Sequence, residues 1–114
     1  MDLTAYQQLA FRTARRDGDS DKRRLIAALG LAGEAGEVAE LIKKQIGHGH
    51  EIKSQAIAKE LGDVLWYVAC VATLYDLDLK QIAENNIAKL RQRYPEGFSS
   101  EESIKRRDMN EEAL

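Results

Sequence analysis

A single cysteine, Cys70, rules out an intrachain disulfide in these 114 residues. It stands in an apolar stretch with no neighbouring histidine, so it is expected in the core or at an interface, and this use of cysteine fits a reducing compartment. A single proline, Pro95, leaves the rest of the chain without helix-breaking rings, and nowhere do apolar and polar residues alternate with a sustained period of two. That points to an all-α chain. No charge of one sign dominates: 17 Lys and Arg face 19 Asp and Glu, a formal net charge of −2. A nucleic-acid-binding surface usually needs a clustered basic excess, and none is present. Uncharged runs are short; the longest, residues 64–75, cannot cross a bilayer. The N-terminus carries no apolar signal segment, so the expectation is a cytoplasmic protein with no membrane partner.

What is present is helical periodicity over a length that suits one domain. Thr4 with Gln7 reads as a capping box opening a helix to about Arg16, in which Tyr6 and Phe11 are expected to be core. A polar turn follows, then a helix from about Lys22 to Ile46 that carries Gly30, Gly33 and Gly36 in its interior. Each of these costs about 1 kcal/mol relative to Ala. Close helix packing or room for a ligand would explain them, and a local break near Gly30 is one outcome of the pattern. The loop Gly47-His48-Gly49-His50 reads as a flexible surface segment rather than a metal site. A third helix is expected from about Lys53 to Tyr75, apolar on almost every side beyond Val64, and a fourth from Asp78 to the Pro95-Glu96-Gly97 stop. A helix so apolar calls for cover, and a homo-oligomer is the simplest source. The expected architecture is therefore a four-helix protomer in an oligomeric bundle, with a domain over 1–98 and a charged tail over 99–114 that forms at most a short helix.

Two acidic pairs interrupt the apolar helices. Glu34 with Glu37 and Glu60 with Asp63 are each spaced i,i+3, which places both carboxylates on one helix face. At about 100° per residue, Glu34 falls among Leu31, Val38 and Ile42, and Glu60 among Val64, Tyr67 and Val71. Burying a carboxylate costs several kcal/mol unless it is paired, protonated or bound to a cation. Four acids facing one interior, with no cysteine or helical histidine, suit Mg²⁺ or Mn²⁺ and disfavour Zn²⁺. A ferritin-like di-iron site needs Glu-x-x-His on its helices, and no such spacing occurs. A bound cation would also let Lys89 and Arg93 hold outer phosphates. The spacing supports a divalent-metal bundle and identifies no nucleotide.

The run Gly30-Leu31-Ala32-Gly33-Glu34-Ala35-Gly36-Glu37-Val38, followed by Glu60-Leu61-Gly62-Asp63-Val64-Leu65-Trp66-Tyr67, resembles the MazG-like nucleotide pyrophosphohydrolases, whose signature is Glu-x-x-Glu, a spacer, then Glu-x-x-Asp. The stretch from Asn86 to Phe98 is similar to that family's downstream helix, and the resemblance extends over roughly Leu3 to Phe98, in the short, single-domain branch. It implies an all-α fold of paired protomers, a homodimer or dimer of dimers, and Mg²⁺-dependent cleavage of nucleoside triphosphates between the α and β phosphates. The products would be a monophosphate and pyrophosphate, with housecleaning of the nucleotide pool as the expected role. By position, Glu34, Glu37, Glu60 and Asp63 would be metal ligands, one glutamate acting as base toward water. Tyr67, Asn86, Lys89 and Arg93 would contact substrate. Two alternatives stand beside this reading: a metal- and nucleotide-binding helical module without turnover, and a hydrolase specific for dUTP or dCTP or for phosphoribosyl-ATP.

Overall fold

The structure is a computed structural model that describes residues 1–106. Five helices and no strand occur among the described residues: α1 (Leu3–Phe11), α2 (Ser20–Gly47), α3 (Ser54–Leu74), α4 (Leu79–Arg93) and α5 (Ser100–Lys105). They divide into two compact units, the first ending at Asp78 and the second beginning at Leu79. The all-α expectation holds. Part of the expected tail is the short helix α5; residues 107–114 of it lie outside the described residues.

In the first unit, side chains that meet orphan backbone groups set the starts of α1 and α2. Asp2 rather than Thr4 caps α1, its carboxylate accepting from the Ala5 amide at 2.9 Å. Thr4 and Gln7 are used elsewhere: the Thr4 hydroxyl donates to Asp78 at 3.2 Å, and the Gln7 amide donates to Thr73 Oγ1 at 3.0 Å and to the Leu77 carbonyl at 2.8 Å. The helix also stops at Phe11, well short of Arg16. The Ala10 carbonyl at its end accepts from the Thr13 hydroxyl and the Trp66 indole, which takes the place of further helical bonds. Asp19 caps α2 by accepting from the Lys22 amide at 2.8 Å.

Helix α2 runs unbroken through Gly30, Gly33 and Gly36 for 28 residues, about 42 Å at the usual rise. The loop over 48–53 then returns the chain along α3. Arg24 donates to the Leu74 carbonyl, Gly30 meets Tyr67, and Gln45 donates to the Ile52 carbonyl, so low numbers on α2 face high numbers on α3 and the two run antiparallel. Helix α1 packs on α3 in the same sense, with Thr4 near Asp78 and Thr13 at Trp66. The buried positions are small: Ala10, Ala27, Ala69, Cys70 and Ala72. Short side chains there bring the helices together, while larger ones sit at the edges. Leu25, Leu29, Leu61 and Leu65 remain exposed on α2 and α3, at 61%, 65%, 52% and 39%. The first unit therefore presents apolar surface that it does not itself cover.

In the second unit, Leu79 is buried at the start of α4, whereas Ile82, Ile87 and Leu90 on the same stripe are exposed. Gly97, at φ 93, makes the turn after Pro95 that a side chain would resist. It lets the Tyr94 and Phe98 rings approach to 5.2 Å, and Ser99 then caps α5 by accepting from the Glu102 amide.

Candidate active site

The antiparallel hairpin brings the two acidic segments together. Glu34 comes from the middle of α2, and Glu60 and Asp63 from the first half of α3; one carboxylate oxygen of each lies within 4.8 Å of the others. All three are half-buried. Glu37, one turn further along α2, is exposed and outside this group, although its charge is felt at Glu34.

Electrostatics in the group are adverse in the absence of a cation. Desolvation pushes the Glu34 carboxyl above its ordinary range, helped by a hydrogen bond shared with Glu60 and by repulsion from Asp63, Glu60 and Glu37. The donor set is all oxygen, compact and partly shielded from water, and so fits a hard divalent cation. Among the described residues no histidine or cysteine joins it. His48 and His50 are exposed in the hairpin loop, their rings 6.2 Å apart, and Cys70 is buried, which pushes its thiol up and leaves it a weak nucleophile.

The glycines divide by what faces them. A Cβ on Gly30 would fall 2.1 Å from the Tyr67 ring, whereas one on Gly33 or Gly36 would meet nothing within 4 Å. Gly30 is thus the packing glycine, and Gly33 and Gly36 face open space. Tyr67 is held between Gly30 and Trp66, edge-on to the indole with ring centroids 4.9 Å apart. The indole N–H in turn donates to Thr13 Oγ1 at 2.8 Å. The neighbourhood of the acids is therefore braced by α1, and the Tyr6 hydroxyl on that helix is raised by burial first and by the Asp63 charge second. Tyr6 was assigned to the core by its apolar stripe alone; its position on the face turned toward α3 could not be read before the packing of α1 was known.

On the side of Tyr67 away from the acids the hairpin and α1 enclose a cavity of about 180 Å³. Phe11, Ile26, Ala27, Trp66 and Tyr67 form its walls, and Arg15, Lys22 and Arg23 bring positive charge to it. Asp17 holds Arg15 through two hydrogen bonds, at 2.8 and 3.1 Å. Arg23, unremarked in the sequence, keeps its Nε buried without a hydrogen-bond partner. Its signal is legible only in three dimensions, as a cation drawn inward beside aromatic walls. Asn86, Lys89 and Arg93 lie on α4 in the second unit; Asn86 and Lys89 are exposed, and Arg93 is half-buried with its guanidinium 5.9 Å from the Tyr94 ring centre.

An all-helical hairpin with three clustered carboxylates defines a helical protein with a candidate divalent-metal site. Residues 23–98 match the MazG nucleotide pyrophosphohydrolase domain. The chain belongs to that family. It is similar to the Gene 37 protein of Mycobacterium phage L5, at 35% identity over 105 residues that cover 85% of this chain and 92% of that one. No solved structure gives a significant match.

Proposed function

We propose that the protein hydrolyses nucleoside triphosphates between the α and β phosphates with Mg²⁺, releasing a monophosphate and pyrophosphate. The convergence of Glu34, Glu60 and Asp63 within 4.8 Å carries this reading, because this oxygen-only cluster falls inside the span that matches a family of nucleotide pyrophosphohydrolases. When bound there, Mg²⁺ or Mn²⁺ supplies Lewis acidity toward phosphoryl oxygens and a lowered water pKa. The three carboxylates would hold the cation, and its charge would relieve the crowding that raises Glu34. Of the glutamates, the exposed Glu37, one turn beyond Glu34, takes the proton from the attacking water in this reading. The oxygen of that water forms the new bond to phosphorus as the bridging P–O bond breaks, and pyrophosphate leaves with the bond's electron pair. Tyr67, packed on Gly30, closes the side toward the cavity. Asn86, Lys89 and Arg93 on α4 keep the substrate-contact roles that the family resemblance implies for them.

The exposed Leu25, Leu29, Leu61 and Leu65 fit cover by a second copy, as a homodimer or dimer of dimers. Housecleaning of the cytoplasmic nucleotide pool is the role that suits such an activity. Screening the purified protein against standard and modified triphosphates with Mg²⁺ tests the reading. Pyrophosphate release from at least one of them is expected; tight nucleotide binding without any product would favour a sensing module instead.

A further inference from the structure

Both histidines of the chain stand in the loop that joins α2 to α3, and the acid cluster uses neither: Glu34 lies about 20 Å back along α2 from His48. The sequence reads this loop as a flexible segment, yet the fold ties it down around the pair. The amides of His48 and His50 both donate to the Lys44 carbonyl, at 3.3 and 2.9 Å, and the Gln45 side chain donates to the Ile52 carbonyl at 3.1 Å. Gly49 turns the chain between them at φ 70, where a side chain would be strained. The two rings stand exposed, their centres 6.2 Å apart and their planes inclined at 53°. Among the described residues no hydrogen bond or ion pair occupies either ring, so nitrogen lone pairs are open to a ligand. The nearby Lys43 and Lys44 ammonium groups are paired with Glu40, at 3.4 and 3.9 Å, which reduces their repulsion of a cation.

Imidazole nitrogen bonds a zinc-sized ion at about 2.0–2.1 Å, so two imidazoles sharing one at a tetrahedral angle have ring centres about 5 Å apart. Closing the observed gap by about 1 Å takes only side-chain rotation, which exposed rings make readily. Imidazole suits the late first-row divalent ions, whereas Mg²⁺ prefers oxygen. We infer that His48 and His50 form a second cation site, selective for a late first-row divalent ion such as Cu²⁺, Ni²⁺ or Zn²⁺, with water at its remaining positions. This stands independently of the pyrophosphohydrolase reading. The two sites then divide cations by ligand type, hard ions to the carboxylates and borderline ions to the loop. Because its two ligands are one residue apart, the unfolded chain keeps part of the affinity, and binding shifts the melting temperature little.

Copper(II) is the probe, since it is the most tightly held ion of that series. Added as its chloride to the untagged protein in excess Mg²⁺, one equivalent should bind and give an electron paramagnetic resonance spectrum coupled to two imidazole nitrogens. His48→Ala and His50→Ala should each weaken that binding at least about tenfold and remove the two-nitrogen coupling. Both side chains are exposed, so circular dichroism of each variant should match the wild type. Glu60→Gln should leave the nitrogen coupling as it is. A wild-type spectrum with oxygen ligands or a single nitrogen, coupling that survives replacement of both histidines, or coupling lost in Glu60→Gln overturns the proposal.

Discussion

The α2–α3 hairpin is built on opposite terms at its two ends. Near Arg24 and Leu74 it is satisfied: the guanidinium donates to the last carbonyl of α3 and lies 4.6 Å from the Tyr75 ring centre, while Ala27, Cys70 and Ala72 pack closely. Near Glu34 and Glu60 it is frustrated, with like charges gathered and glycines left facing open space. Stability is concentrated at one end, and the proposed chemistry belongs to the other. Tyr67, wedged onto Gly30, marks the boundary between them.

That contrast can be broken at several points. The largest effect is expected from Glu60→Gln, which should lower pyrophosphate release at least about a hundredfold. In thermal melts without metal the variant should be as stable as the wild type or more so, because one repelling charge is gone. Next, Mg²⁺ at about 100 times its dissociation constant should stabilise the wild type by about 2.7 kcal/mol in urea titrations and Glu60→Gln by clearly less. Equal stabilisation would remove Glu60 from the set of metal ligands.

The glycines sharpen the same comparison. Gly30→Ala drives a methyl into the Tyr67 ring and should cost about 1–3 kcal/mol. Gly33→Ala enters open space and should gain up to about 1 kcal/mol from helix propensity in the metal-free chain. Similar losses at both positions would show that the acid-bearing end is packed after all.

The smallest effect concerns pH. The raised Glu34 carboxyl means that the folded, metal-free chain holds that proton more tightly than the unfolded chain does. The contribution of Glu34 to stability therefore falls as pH rises from about 4.3, its ordinary value, through the raised folded value, and levels off above it. Melting temperatures of Glu34→Gln should lack that part of the slope; an unchanged slope would assign it to other groups.

Much of this was legible in the residues. The lack of proline and of two-residue alternation gave the helices, and the i,i+3 acids at apolar positions gave the cluster. The register of the hairpin was not legible, because which turn of α2 faces which turn of α3 depends on the loop over 48–53 and on the fit of small side chains. For that reason Glu37 was grouped with the other three acids by spacing, although the hairpin converges on Glu34, Glu60 and Asp63 and leaves Glu37 at the edge. The cap of α1 was misplaced because Thr4 and Gln7 find better partners across the fold in Asp78, Thr73 and Leu77. Arg23 and the cavity escaped notice because an arginine in the first turn of a helix reads as solvated until the aromatic walls beside it are in place.

The central claim is that the converged carboxylates direct cleavage to the bond between the α and β phosphates. Phosphorus NMR of a nucleoside triphosphate incubated with the protein and Mg²⁺ tests it most directly. Monophosphate and pyrophosphate should appear together in equal amounts; a diphosphate with orthophosphate, or a spectrum unchanged across every base tried, would contradict the account.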